Sequence, residues 1–181
     1  VLLTGWHRNK NIEIVPHILS ELNKQNCTDV SFIITVPENH PMSQLLKKAA
    51  KELNVEERIL FLDSVAPHQV PLLLDKIDGL GLFSLLESFS NNIIEAWHFK
   101  KPLFISDEEW SRAICKNAAV YVDRNSATDI AAKIMAYRND DKYKEKMALN
   151  MKEILKDYPT PQEKVAMQME FIKKIYNEKS N

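Results

Sequence analysis

The sequence predicts an α/β domain: a mostly parallel sheet with helices on both faces, followed by a helical C-terminal tail. Short apolar runs of strand length alternate with segments of helical spacing from the first residue to about residue 139. β-branched residues are concentrated in runs such as 29–36, and from residue 140 onward the pattern is wholly helical. This alternation favours parallel strands, because each crossover between parallel neighbours is usually a helix.

The predicted elements follow one another in a regular order. Residues 1–5 predict a strand that ends in a turn at Gly5, and residues 11–26 repeat Ile and Leu at helical spacing. The remaining predicted strands are residues 29–36, 58–62, 79–84, 103–106 and 120–122. The remaining predicted helices are residues 43–53, 67–77, 93–99, 108–116, 127–138, 140–156 and 162–179. Residues 1–139 should therefore form the core, and residues 140–181 should add C-terminal helices to the same domain.

The composition is that of a globular domain and does not favour nucleic acid as a partner. Of 181 residues, 45% are hydrophobic and 27% are charged, and the formal net charge is −1. This balance, without a basic stripe, gives no support for nucleic-acid binding. No apolar run approaches the roughly 20 residues that span a bilayer, so no transmembrane segment is predicted. Two distant cysteines, Cys27 and Cys115, fit reduced thiols in the cytoplasm, with a single disulfide as the alternative.

Polar loops follow three of the predicted strands, at residues 5–10, 63–66 and 87–92. Ligands of parallel sheets bind beyond the carboxyl ends of the strands, so these loops should face one crevice. The third loop opens a helix, and a helix N-terminus attracts anions. Glu87 precedes this helix, and Glu95 should lie in its first turn. The sequence therefore predicts a site for an anionic ligand that also carries hydroxyl groups.

The two glutamates are not spaced like the acid pair of a glycosidase. In one continuous helix they would stand about 12 Å apart, which exceeds the roughly 5–9.5 Å of glycosidase pairs. We expect each to hold a different part of one extended ligand. Structural alternatives stay open for both: Asn92 and Glu95 have the spacing of a capping box, and Glu87 has the alternative of a surface charge.

The segment from Glu87 to Glu95 resembles a motif of the retaining GT-B glycosyltransferases, in particular family 4, also called group 1. It reads Glu-x7-Glu, with Phe89 two residues after the first Glu and Ala-Trp directly after the second. Four more segments resemble strands and loops of this family in the same order: RILFLDSV at 58–65, DGLGLFS at 78–84, KPLFISD at 101–107 and NAAVYVD at 117–123. The resemblance implies a Rossmann-like, donor-binding C-terminal half whose N-terminal, acceptor-binding domain is absent. It agrees with our interpretation of a chain that begins at Val1, without Met, as a piece of a longer protein.

The resemblance also implies roles for individual residues. Glu95 would hold the ribose hydroxyls of the donor, and Glu87 the donor sugar or its surroundings. Lys10 would neutralise the departing diphosphate, with Arg8 beside it, although a basic pair after a strand is also common in solvated loops. Val65 would line the base pocket. Backbone N–H groups at the helix start would face the sugar and the diphosphate, namely those of Phe89, Ser90, Asn91, Asn92 and Ile93.

Several positions depart from the family pattern. Trp6 stands where the family commonly has Arg, so either Arg8 has taken over that charge or one phosphate contact is missing. Ser90 and Asn91 replace glycines, which predicts a tighter approach of the backbone to the diphosphate. Asp63 replaces a glycine beside the base pocket.

No metal site is predicted, because the five histidines show no metal-ligand spacing. His7 is a candidate for ligand contact, and His98 is expected to be a packing or surface residue. The chain also lacks nucleophile-elbow, P-loop and dinucleotide-fingerprint sequences. The family needs no bound metal, so the resemblance implies a nucleoside diphosphate sugar as donor substrate and no cofactor.

The predicted function is donor binding for hexosyl transfer. The intact enzyme would move a hexose to an acceptor hydroxyl with retention, in polysaccharide or cell-surface glycan synthesis. It would act in the cytoplasm or peripherally at the inner face of the membrane, and the fragment alone should not catalyse transfer. A nucleotide-sugar epimerase and a non-catalytic binding module stay as alternatives. The last predicted helix carries a stripe, Met167, Phe171 and Ile175, that packs either on the absent domain or on its own domain.

Overall fold

The computed structural model describes residues 1–5, 7–87 and 89–179, and within them the chain forms one six-stranded sheet flanked by helices. This confirms the predicted fold class. The strands are β1 (Leu2–Thr4), β2 (Phe32–Thr35), β3 (Ile59–Phe61), β4 (Leu80–Leu82), β5 (Leu103–Ser106) and β6 (Val120–Val122). The α-helices are α1 (Val15–Lys24), α2 (Pro41–Glu52), α3 (Val70–Lys76), α4 (Asn91–His98), α5 (Glu109–Cys115), α6 (Ala127–Asn139), α7 (Asp141–Ile154) and α8 (Pro161–Lys179). Single 3-10 turns occur at Arg8–Lys10, Ile12–Ile14, Glu56–Arg58, Pro67–Gln69 and Leu155–Asp157.

The strand order is β3-β2-β1-β4-β5-β6, and each neighbouring pair is parallel. The carboxyl ends of all these strands therefore lie at one edge of the sheet. The chain moves outward from β1 to β3, returns to β4 beside β1, and then moves outward in the opposite direction. Because such crossovers are right-handed, the two halves place their helices on opposite faces. The direction reverses between β1 and β4, and in sheets of this type a ligand crevice forms at that switch point.

The core lies between the sheet and the helices on its two faces. β5 is buried along its whole length, as expected for a central parallel strand covered on both sides. Trp97 on α4 is among the largest fully buried side chains, and its Nε1 donates a hydrogen bond to the carbonyl of Ala118 at 2.7 Å. On the helical layers, α1 packs against α2 and α6, and α4 packs against α7.

Three of the predicted boundaries that differ from the structure lie near the loops after β1 and β4. The helix expected over residues 11–26 begins only at Val15, because Asn11 is left-handed (φ 54°) between two 3-10 turns and Pro16 favours the first helical turn. The helix expected over residues 93–99 begins earlier, at Asn91, after the extended residue Ser90. The strand expected over residues 79–84 is limited to Leu80–Leu82, where its pairing with β5 ends.

The helix α8 leaves the body of the domain. Met167 and Phe171 of the predicted apolar stripe are 61% and 64% exposed, and Ile175 is 37% exposed. The alternative that this stripe packs on its own domain is therefore wrong. None of the helices in the described ranges has the length and apolarity that a membrane span requires.

Candidate functional site

Lys10 lies in the loop that follows β1. Gly5 turns the chain with a φ of 87°, a left-handed conformation that favours glycine. The 3-10 turn that follows is closed by the N–H of Lys10, which donates to the carbonyl of His7 at 2.8 Å. The aliphatic stem of Lys10 lies over Gly5, with Cγ and Cε at 3.7 and 3.8 Å from the position that a Cβ of Gly5 would take. Turn and stem together fix where the ammonium group of Lys10 emerges.

Lys10 and Glu87 form an ion pair between the loops that follow β1 and β4. Nζ of Lys10 donates to Oε2 of Glu87 at 2.5 Å, and the hydroxyl of Ser84 donates to the same oxygen at 3.4 Å. The side chains of Lys10 and Glu87 are only 19% and 13% exposed. Such shielding from water strengthens the attraction relative to a surface pair. The structure thus joins the two residues that the resemblance assigned to the departing diphosphate and to the donor sugar, at the switch point of the sheet.

Backbone contacts hold the same two loops together. The N–H of Leu85 donates to the carbonyl of Asn9 at 2.7 Å, and Nδ2 of Asn9 donates to the carbonyl of Leu86 at 3.1 Å. Asn9 was not predicted as a site residue. Its position beside Lys10 is the only sequence signal that it offered. These bonds stabilise the relative position of the loops independently of the ion pair.

Three buried serines form hydrogen bonds that support the loop after β4. The hydroxyl of Ser106 donates to the carbonyl of Ser84 at 3.0 Å, and the hydroxyl of Ser111 donates to the carbonyl of Ser106 at 2.6 Å. All three serines are fully buried. None of the three was predicted as a site residue, although a Ser at the end of an apolar strand, as at Ser84 and Ser106, is a usable signal.

Glu95 lies in the second turn of α4, not in the first as expected. Because Ser90 is the residue before the helix, Asn92 lies inside it, and the predicted capping box of Asn92 and Glu95 is wrong. Glu95 is half-buried, and this burial raises the pKa of its carboxyl group. Among the described residues, we find no hydrogen bond or ion pair to the Glu95 carboxylate. A partly desolvated carboxylate of this kind gains stability from a ligand hydroxyl.

The remaining residues at the start of α4 have different environments. Ser90 is buried, and its carbonyl accepts the N–H of Ile93 at 3.0 Å, so one predicted backbone donor is already engaged. The side chain of Ile93 is fully buried in the core. Asn91 is exposed, Asn92 is half-buried and Phe89 is 44% exposed. The helix start therefore offers an exposed face beside Glu87.

Arg8 and Val65 take no part in the ion pair of Lys10 and Glu87. Arg8 is exposed, and within the described part of the chain its guanidinium makes no hydrogen bond or ion pair. Val65 is half-buried in the loop after β3, which is one of the two edge strands of the sheet. At about 4.8 Å per strand, β3 is roughly 10 Å from β1, so only an extended ligand would reach both loops. Trp6, where the family commonly has Arg, lies outside the described residues.

A separate polar cleft of about 300 Å³ lies beyond the carboxyl ends of β5 and β6. Two of its acids are already paired, Glu108 with Arg124 at 2.5 Å and Asp107 with Arg112. Nδ2 of Asn11 donates to the carbonyl of Arg124 at 2.8 Å and links this cleft to the loop of Lys10. In the described ranges, no three His, Cys, Asp or Glu residues are grouped as metal ligands would be.

Comparison with known proteins bears on the family and on the fold. The family described as "Glycosyl transferases group 1" matches residues 6–154. No curated protein matches the chain. The C-terminal domain of a glycosyl transferase group 1 family protein (LpcC) from Francisella tularensis has a similar fold, with a TM-score of 0.71, 18% identity, and coverage of 86% of this chain and 83% of that one.

Two longer solved structures share the same fold. A glycosyltransferase from Rickettsia africae has a TM-score of 0.78 and 18% identity, over 97% of this chain and 47% of that one. HepE from Anabaena, solved in complex with UDP, has a TM-score of 0.77 and 16% identity, over 93% of this chain and 47% of that one. The chain thus spans about half the length of these two proteins.

Proposed function

We propose that this chain, which belongs to the glycosyl transferases group 1 family, is the donor-binding half of a retaining glycosyltransferase. In this proposal a nucleoside diphosphate sugar lies across the loops that follow β3, β1 and β4. The three loops span roughly 14 Å at the usual strand spacing, which suits a ligand made of a base, a ribose, a diphosphate and a sugar. The Anabaena protein HepE, which shares the fold, has been solved with UDP and with UDP-glucose.

The observation that carries the proposal is the shielded ion pair of Lys10 and Glu87. A cation fixed at the switch point is placed to neutralise a diphosphate, and an acid beside it can accept hydrogen bonds from sugar hydroxyls. Both charges are held in a partly dry crevice, where electrostatic interactions are stronger than in water. In the structure they neutralise each other, so donor binding has to redirect the ammonium group of Lys10 toward the phosphates.

The proposed roles follow from this arrangement. Lys10 and the N-terminus of α4 stabilise the negative charge that develops on the leaving diphosphate. Glu87 contacts the donor sugar, and Glu95 accepts hydrogen bonds from the ribose. Val65 lines the base pocket, and Arg8 adds a second cation near the phosphates. Phe89, Ser90, Asn91 and Asn92 present backbone to the sugar and diphosphate, which leaves Ile93 as a core residue.

The finer features of the reaction belong to the same proposal. The intact protein transfers a hexose to an acceptor hydroxyl with retention and without a bound metal. An N-terminal domain supplies the acceptor site, so the present chain binds donor without turnover. The product belongs to a polysaccharide or cell-surface glycan, made in the cytoplasm or by a peripheral protein at the inner face of the membrane.

Calorimetric titration of the chain with UDP, GDP, ADP and CMP tests the proposal. We expect one nucleotide to bind selectively and Glu95→Ala to abolish most of that binding. Glu21→Ala is the matched control, because Glu21 is also half-buried but lies in the last turn of α1, at the opposite edge of the sheet. This control should bind the nucleotide as the wild type does.

Two outcomes would contradict the proposal. One is a folded wild-type chain that binds none of these nucleotides. The other is equal binding by the wild type and Glu95→Ala. Product analysis of the longer protein separates transfer from epimerisation, since an epimerase would interconvert nucleotide sugars without any acceptor.

A further inference from the structure

Three aromatic rings connect the loop after β4 to the segment that follows α7. The ring of Phe89 has its centroid 6.4 Å from that of Tyr158, and the ring of Tyr158 lies 5.5 Å from that of Trp97. These distances fall within the range of attractive aromatic pairs. Tyr158 therefore lies between a loop residue that is 44% exposed and a fully buried residue of α4.

Tyr158 itself is well supported. Its hydroxyl donates to the carbonyl of Ile114 at 3.4 Å, and its N–H donates to the carbonyl of Leu155 at 3.2 Å. The preceding residue, Asp157, forms an ion pair with Lys116 at 2.9 Å. Trp97, on the other side of the ring, is fixed by its own bond to Ala118. Tyr158 thus presents a fixed surface to Phe89.

The segment between Glu87 and α4 has contacts at both of its ends. Lys10 holds Glu87 at the start of the loop. At the other end, the side chain of Ser90 makes no capping hydrogen bond to α4. The contact of Phe89 with Tyr158 is a side-chain anchor next to the helix start. Phe89 also lies two residues before α4, which carries Glu95, so displacement of its ring would shift the backbone at the start of this helix.

We propose that Tyr158 is a positioning residue of the donor site: its ring holds Phe89 and so fixes the backbone of Phe89 and Ser90 just before α4. The inference rests on the proposed function insofar as it concerns the donor. Among the described residues, no hydrogen bond or ion pair joins Tyr158 to either acid, so its proposed effect on the site runs through its contact with Phe89. The cluster also ties the loop to the segment just before α8, at the C-terminal end of the domain.

The test compares Tyr158→Ala with Tyr158→Phe in the 181-residue chain. We measure the NMR order parameters of the Phe89 and Ser90 amides without ligand, and the Kd for UDP. In Tyr158→Ala the order parameters should fall toward the value of about 0.6 that marks flexible backbone. The Kd should rise about two- to tenfold, as the loss of one aromatic pair predicts. Tyr158→Phe, which keeps the ring, should retain the wild-type order parameters and the wild-type Kd for UDP.

Tyr143→Ala is the matched control. Tyr143 is also half-buried, and its ring packs on Tyr137 at 5.5 Å, in another part of the fold. Its replacement should lower thermal stability without changing the Phe89 amide or the UDP Kd. Phe89→Ala completes a double-mutant cycle: in that background Tyr158→Ala should have no further effect on Kd, whereas a merely structural role would make the two effects additive.

The outcomes separate this inference from the proposed function. Unchanged order parameters in Tyr158→Ala would overturn the inference, and so would a loosened loop that binds UDP with the wild-type Kd. If Tyr158→Ala does not fold, Tyr158→Leu, which keeps apolar bulk without the ring, decides the same points. A wild-type chain that binds no nucleotide would contradict the proposed function, and the order parameters alone would then decide whether Tyr158 positions the loop.

Discussion

Replacement of Glu87 by Gln should tighten UDP binding while it destabilises the fold. The substitution keeps the shape of the side chain and removes the charge that pairs with Lys10. In the wild type, a diphosphate must compete with Glu87 for the ammonium group of Lys10. In the variant this competition is weaker, because the hydrogen bond from Lys10 to Gln lacks the charge on the acceptor.

The size of the effect follows from the geometry of the pair. Two unit charges about 4 Å apart attract by about 4 kcal/mol at an effective dielectric constant of 20, before desolvation is subtracted. Hydrogen bonds to charged groups contribute about 1.5–3 kcal/mol net. Because both side chains retain some exposure, at 19% and 13%, we take the lower end of that range. A change of about 1.4 kcal/mol corresponds to a tenfold lower Kd for UDP.

The assay is calorimetric titration with UDP, together with urea denaturation of each variant. Glu108→Gln is the matched control, because Glu108 pairs with Arg124 at 2.5 Å in the neighbouring cleft. It should lose stability without a change in UDP affinity. Unchanged or weaker UDP binding by Glu87→Gln would refute the idea that Glu87 restrains Lys10.

Three other predictions concern the site and its support. Lys10→Ala should raise the Kd for UDP by at least about tenfold, since a charge-assisted contact to phosphate is lost; titration checks this, and an unchanged Kd would exclude Lys10 from the site. Burial raises the pKa of Glu95, so its ionised form destabilises the fold above that pKa. Glu95→Gln should therefore raise the thermal midpoint at pH 8, with a gain that shrinks as the pH falls to 4; a constant gain would contradict the stated cause. Trp97→Ala should lower the free energy of unfolding by about 3–5 kcal/mol in urea denaturation, because it opens a cavity and leaves the Ala118 carbonyl without its partner. A loss below about 1 kcal/mol would contradict this, since it would mean that neighbouring side chains fill the cavity.

Strands with strong local signals were predicted well. The bounds of β5 and β6 match the predicted residues because each is a short apolar run between polar turns. The start of α1 was missed because the left-handed Asn11 interrupts a pattern that is otherwise helical. The start of α4 was missed because Asn92 and Glu95 imitate a capping box that would start the helix at residue 93, whereas the helix begins two residues earlier, at Asn91.

The site was predictable only in part, for a related reason. Residue types and loops identified Lys10 and Glu87 separately, but their pairing depends on β1 and β4 being neighbours, and no local pattern encodes that order. Phe89 and Tyr158 are in contact although they lie 69 positions apart in the sequence. Tyr158 follows a helix end in an unremarkable segment, so its position emerged only from tertiary packing.

An NMR titration of the chain with UDP tests the central claim most directly, because it locates the ligand on the fold. We predict the largest shifts at the amides of Gly5, Lys10, Glu87 and Phe89, on the two loops joined by the ion pair. Smaller shifts should extend to Val65, where the base would lie. Shifts confined to the polar cleft beyond β5 and β6, or no saturable shifts at all, would contradict the claim that a nucleoside diphosphate binds at the junction of β1 and β4.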